Sequence, residues 1–178
     1  PACGEWNCME EHTETAQEKK TVSLNPVSVL INEDPAERIS DLTVPSFIRT
    51  ETGMEELDRV LGGGLVSGSV VLLTGEPGIG KSTLLLQISD ILCRTRRVLY
   101  VSGEESRGQI KLRAKRLGTV GDELFVYTNP NVDSIVEESR KLEPNILIID
   151  SIQTVFTERV SSSPGSITQI KETASQLI

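Results

Sequence analysis

Apolar and polar positions alternate along this chain in blocks of two kinds. The stretches "VVLLT" (70–74) and "ILIID" (146–150) are apolar at consecutive positions, the pattern of strands covered on both faces. "RVLYVSG" and "ELFVYT" read as two further strands. Between them lie helical stretches: "KSTLLLQISDILCRT", "SRGQIKLRAKRLG" with Ile110, Ala114 and Leu117 on one side, "VDSIVEESRKLE" closed by Pro144, and "PGSITQIKETASQLI" behind a helix-start signal. Ahead of all of them, "SFIRTETGMEELDRVLGGGLVSG" predicts a short strand and then a helix around Met54–Leu61. Leu57, Val60 and Leu61 are expected to form its apolar face, and Gly62–Gly64 to stop it. Strands that alternate with helices pair in parallel, because a parallel neighbour requires a crossover. The expected fold is α/β: a three-layer α/β/α domain with a mainly parallel sheet and right-handed crossovers. No solenoid-type repeat is visible.

Charge divides the chain. Residues 1–45 hold nine acids against three bases, so about −6 of the formal net charge of −8 sits there. Residues 9–45 are polar, acidic and broken by prolines at 26, 35 and 45, which reads as a linker. The rest is close to neutral, so contact with nucleic acid would need a local basic patch. No apolar run is long enough to span a bilayer, and "PACGEWNCMEEH" does not read as a signal peptide. Three cysteines without a secretory signal point to a reduced, cytoplasmic setting, with Cys93 a small core residue of a helix.

The candidate chemistry begins at "TGEPGIGKST". It fits G-x-x-x-x-G-K-[ST] as Gly75, Gly80, Lys81 and Ser82, and it stands between a predicted strand and a predicted helix. Glycines let the backbone bend around a polyphosphate and turn successive N–H groups inward. The helix N-terminus adds unpaired amides and the positive end of its dipole. Lys81 offers a cation to the β/γ-phosphates of ATP, and Ser82 a ligand for Mg²⁺. "NILIID" ends in Asp150, and a carboxylate at the end of a buried strand needs a partner. Hydrated Mg²⁺ is the partner in P-loop enzymes, and helix capping is the plainer alternative. "YVSGEES" places Glu104 and Glu105 where a carboxylate can activate water. From the residues alone, these two are equally a helix start enriched in acids.

Four stretches in this order, "GEPGIGKSTLLLQ", "VLYVSGEES", "ILIIDSIQT" and "SSSPGSITQIKE", with the lead-in "TGMEELDRVLGGGLVSGSVVLLTGEPG", resemble the bacterial RadA (Sms) family. Its members are RecA-fold P-loop ATPases of recombinational DNA repair. The resemblance implies a DNA-dependent ATPase that processes branched recombination intermediates. Gly75, Glu76, Pro77, Gly78, Ile79, Gly80, Lys81, Ser82 and Thr83 would hold the nucleotide, Lys81 and Glu104 would be catalytic, and Ser82 and Asp150 would serve Mg²⁺. Glu104 then takes precedence over Glu105 as the water-activating carboxylate. The segment Thr157–Ser166 matches the first DNA-contacting loop of RecA-like proteins, with Arg159, Ser161, Ser162, Ser163, Gly165 and Ser166 as candidate contacts to single-stranded or branched DNA. Arg159 is its one cation, so strong binding by this loop alone is not expected. The family also implies a homo-oligomeric ring in the full-length protein and no membrane.

The same resemblance implies an organisation. Residues 1–8 correspond to the end of a four-cysteine zinc module. Cys3 would be its fourth ligand, Zn²⁺ being held in the full-length parent alone. The alternative set Cys3, Cys8 and His12 lacks a fourth ligand. Residues 46–178 correspond to the N-terminal portion of a RecA-like ATPase domain. Further strands, a second DNA loop, a Lys-Asn-Arg-Phe-Gly motif and a Lon-like domain are expected beyond Ile178, and with them the positive side chain that a neighbouring subunit donates. The competing readings are another RecA-fold ring ATPase, KaiC-like or replicative-helicase-like, and a nucleotide-binding module without turnover.

Overall fold

The structure is a computed structural model that describes residues 38–41, 48–119 and 121–178. The zinc-module remnant with Cys3, Cys8 and His12, and nearly all of the linker, lie outside the described residues. From Lys81 onward the elements follow the predicted order. Strand β1 (Arg49–Thr50) pairs antiparallel with β2 (Leu65–Val66), and α1 (Glu55–Val60) lies between them in sequence. Then come α2 (Lys81–Leu92), β3 (Val98–Ser102), α3 (Arg107–Leu117), β4 (Leu124–Tyr127), α4 (Val132–Leu142), β5 (Ile146–Asp150) and α5 (Ile167–Leu177). The main sheet is parallel, in the order β4-β3-β5.

Strand β3 is central and every one of its residues is buried. Alternate side chains of a strand point to opposite faces, and here each face has its own core. Val98 and Tyr100 pack with Leu86, Leu92 and Cys93 at α2, Ile110 of α3 and Ile148 of β5. Leu99 and Val101 pack with Val132 and Ile135 of α4 and with Val155. Two-sided burial explains why these strands carry no polar alternation. The face that Ile110, Ala114 and Leu117 were expected to form packs on the first core, and Cys93 is a core residue of it. Its thiol is pushed up from the ordinary value, first by burial and then by the charge of Asp90.

Helix boundaries follow local chemistry. Ser106 and Gln109 form a reciprocal capping box at the start of α3, and Gly118 closes the helix in the left-handed conformation. The Asn131 side chain accepts from the Ser134 N–H at the start of α4.

Two expectations are corrected. Val70–Thr74 forms no strand: it belongs to no ladder, and Val70, Val71, Leu72 and Leu73 are 65%, 50%, 75% and 36% exposed. A strand exists through its pairing, and apolar composition does not supply a partner. The free edge of β5 is likewise unpaired among the described residues. The second correction concerns α1, where Met54 and Leu57 pack on the core and Val60 is 80% exposed. At about 100° per residue, Val60 sits too far round the helix from the stripe that those two begin.

Candidate functional site

The P-loop follows the extended Val70–Thr74 stretch and ends in α2. Gly78 and Gly80 have φ of +80° and +108°, a region that favours glycine, and a Cβ at either would meet nothing within 4 Å. The loop is therefore open beside both glycines, and residues 75–80 are exposed. Gly80 is the N-cap of α2 and supplies no side-chain cap, so no side chain satisfies the first-turn amides at the positive end of the helix. Lys81 Nζ donates to the Gly75 and Glu76 carbonyls, 2.8 Å each. A glycine cradle, an uncapped helix start and a cation held within the loop suit a polyphosphate.

A second group forms at the C-terminal ends of β3 and β5. Ser102 and Asp150 are register partners. Asp150 follows Ile146 and Ile148 at alternate positions, so it lies on the sheet face that α2 and α3 cover. The Tyr100 hydroxyl donates to Asp150 Oδ2 at 2.5 Å, while no hydrogen bond among the described residues engages Oδ1. Burial pushes the Tyr100 phenol well above its ordinary value, and the hydrogen bond to Asp150 pushes it further. Sequence reasoning missed Tyr100 because a tyrosine inside an apolar strand reads as core. The Asp150–Ser151 peptide is cis.

The two glutamates have different partners. Glu104 is exposed, and its Oε1 accepts from the Ser151 hydroxyl at 3.1 Å, beside Asp150. Glu105 forms an ion pair with Arg113 of α3, close enough to Tyr100 for both charges to act on its phenol, and its N–H donates to the Ser102 hydroxyl. Gly103 sets the approach of the two strand ends, since a Cβ there would come within 2.2 Å of Thr154 Oγ1. The Thr154 hydroxyl in turn donates to the Ser151 carbonyl. Ser82 and Lys81 have no hydrogen bond or ion pair with Asp150 or Glu104 among the described residues. The structure thus forms the cradle and the carboxylate pair as separate groups, in keeping with the unpaired Val70–Thr74 stretch.

The candidate loop Thr157–Ser166 leaves the buried Val155 and folds back on the start of α5. Arg159 forms an exposed ion pair with Asp133 of α4 at 2.6 Å, a contact of about 1 kcal/mol or less. Ser161, Ser163 and Gly165 are exposed, and Ser162 and Ser166 partly so.

Comparison with known proteins identifies the family. A family model described as an AAA domain matches residues 33–177. The DNA repair protein RadA of Aquifex aeolicus is 49% identical over 172 residues, 97% of this chain and 37% of that protein. The same protein of Streptococcus pneumoniae is 50% identical over 141 residues, 79% of this chain and 34% of its own length. The chain belongs to the RadA family. That of Listeria monocytogenes is 45% identical over 179 residues, all of this chain and 38% of its own. The chain thus spans little more than a third of the length of these relatives. RadA membership decides against the KaiC-like and replicative-helicase-like alternatives. Among the described residues no helix is long and apolar enough to cross a membrane.

Proposed function

We propose that this chain carries the ATP site of a DNA-dependent ATPase that acts on recombination intermediates. The observation that carries the reading is the P-loop: an open glycine cradle closed by Lys81 at an uncapped helix start. Residues Gly75–Thr83 hold the triphosphate, with Lys81 moving from the loop carbonyls to the phosphate charge. Bound Mg²⁺ neutralises phosphate charge, and Ser82 and the open oxygen of Asp150 are the residues that would hold it. Glu104 orients and deprotonates the attacking water. Its exposed side chain beside Asp150 supports that role, whereas Glu105 is tied to Arg113.

For these groups to act together, Val70–Thr74 adds to the free edge of β5 as a fourth parallel strand. That covers its exposed apolar side chains and brings the P-loop to Asp150. The RadA relatives are named for DNA repair, and the Thr157–Ser166 loop, rich in hydroxyls and amides, is the candidate DNA contact. In the full-length protein we place this chain in a homo-oligomeric ring.

The test is ATP hydrolysis with and without single-stranded DNA, by this chain and by the longer protein. Lys81→Ala should abolish turnover and weaken ATP binding. Glu104→Gln should keep binding and lose turnover by roughly 10²-fold or more. Unchanged binding and turnover in the Lys81 variant would overturn the site. A second reading, nucleotide binding without turnover, is favoured by the separation of the cradle from Glu104 and Asp150. Hydrolysis that responds to Glu104→Gln excludes it.

A further inference from the structure

Two helices of this chain open with the same local pattern, a serine N-cap and a glutamine three residues later: Ser106 and Gln109 in α3, Ser166 and Gln169 in α5. In α3 the pattern closes on itself, for Gln109 Oε1 accepts from the Ser106 N–H at 2.9 Å. In α5 it does not. Ser166 still accepts from the Gln169 N–H, but the Ser166 N–H donates to the Ser163 carbonyl, and the Gln169 side chain goes elsewhere.

Gln169 is 2% exposed and reaches into the preceding loop. Its Oε1 accepts from the Thr157 N–H at 3.0 Å. The two N–H groups of its Nε2 face the carbonyls of Thr157, Val160 and Ser162, at 3.0, 3.2 and 2.8 Å, so one N–H is shared between two carbonyls. One side chain therefore engages four backbone groups across Thr157–Ser162. A loop whose carbonyls turn inward must satisfy them there, because an unpaired buried carbonyl is costly. An amide supplies both the acceptor and the donors, which neither a carboxylate nor an ammonium group does.

We infer that Gln169 is the positioning residue that holds the Thr157–Ser166 loop in one conformation and thereby presents Ser161, Ser163 and Gly165 outward to nucleic acid. The orientation towards nucleic acid rests on the proposed function above, whereas the clamp stands on the hydrogen bonds alone. Arg159 is not held by Gln169 and pairs with Asp133. The clamp therefore orders the backbone and leaves the cation of the loop to the exposed surface.

The experiment is amide hydrogen exchange on the full 178-residue chain, together with binding of a single-stranded oligothymidylate well below the melting temperature. Gln169→Leu should speed exchange in Thr157–Ser162 by roughly tenfold or more, with β3 unchanged. It should weaken oligothymidylate binding by a similar factor, since the loop must then be ordered on binding. Loop exchange equal to the unmodified chain overturns the clamp. Loosened exchange with unchanged oligothymidylate affinity supports the clamp and overturns the loop as the DNA contact. If Gln169→Leu also speeds exchange in β3, Gln169→Glu is read in its place. It keeps the size and the acceptor for Thr157 and sets a carboxylate against three carbonyls. In the unmodified chain the Gln169 side-chain amide protons should exchange slowly. Rapid exchange there overturns the inference whatever the variants do.

Discussion

At the scale of single residues, Tyr100 is the least expected member of the site. Its ring fills the core under α2 and α3, and its hydroxyl occupies one oxygen of Asp150. A hydrogen bond to a charged acceptor contributes about 1.5–3 kcal/mol, and it leaves the other oxygen without a hydrogen bond among the described residues. Tyr100→Phe should therefore lower stability by that order. It should also raise the Mg²⁺ concentration for half-maximal hydrolysis about tenfold, as loss of a supporting contact behind a metal ligand does. A Mg²⁺ titration of both proteins checks this. Burial first, and the same bond second, raise the phenol and predict a pH dependence. The folded-state value of the phenol lies above the unfolded value of about 10. The stabilisation it confers is fully present below pH 10 and is lost as pH rises beyond, where the unfolded chain ionises and the folded one resists. Urea unfolding between pH 8 and 11 should show the gap between the wild-type chain and Tyr100→Phe narrowing above pH 10. A constant gap would mean that neither burial nor Asp150 raises the phenol in the folded chain.

Elements are where composition and pairing part company. Val70–Thr74 and Ile146–Asp150 have the same apolar character, yet the second is a strand and the first is not. Ile146–Asp150 has β3 on one side and a free edge on the other among the described residues, Val70–Thr74 has no strand partner on either side, and both lie next to residues of the proposed ATP site. The expected outcome is that the amides of Val71–Leu73 exchange freely without nucleotide and gain at least tenfold protection at saturating ATP–Mg²⁺. Exchange mass spectrometry on the corresponding peptide reads it directly. Continued free exchange at saturation would separate nucleotide binding from completion of the sheet. The four-stranded arrangement would then fall while the cradle stood.

For the whole molecule the governing quantity is charge. The chain carries a net −8, and its candidate DNA loop has a single cation in an exposed ion pair. Affinity for single strands falls with log salt by about 0.7 per phosphate neutralised. Binding through this loop should therefore show a slope of magnitude below about 1, flattened further by Arg159→Ala. Fluorescence anisotropy of a labelled oligothymidylate over a salt series tests it. A slope several times steeper would place the phosphate contacts on another surface, such as the exposed Arg96 and Arg107.

Much of this protein could be read from its residues because much of it is local. The helices from α2 onward and the P-loop glycines depend on neighbours in sequence, and both appear in the structure. The helix-start signal ahead of "ITQIKE" likewise precedes α5. What could not be read depends on groups far apart in the chain. Tyr100 meets Asp150 across fifty residues, and Gln169 abandons its own helix cap for a loop that returns to it. The local pattern around Gln169 is the one around Gln109, and the difference lies in what stands opposite. A side-chain amide beside four backbone groups of a folded loop satisfies them, and one beside its own helix start closes a box. Pairing of Val70–Thr74 is of the same kind. Apolar content prepares a segment to be a strand, but the hydrogen bonds that make it one come from a partner brought alongside by the fold.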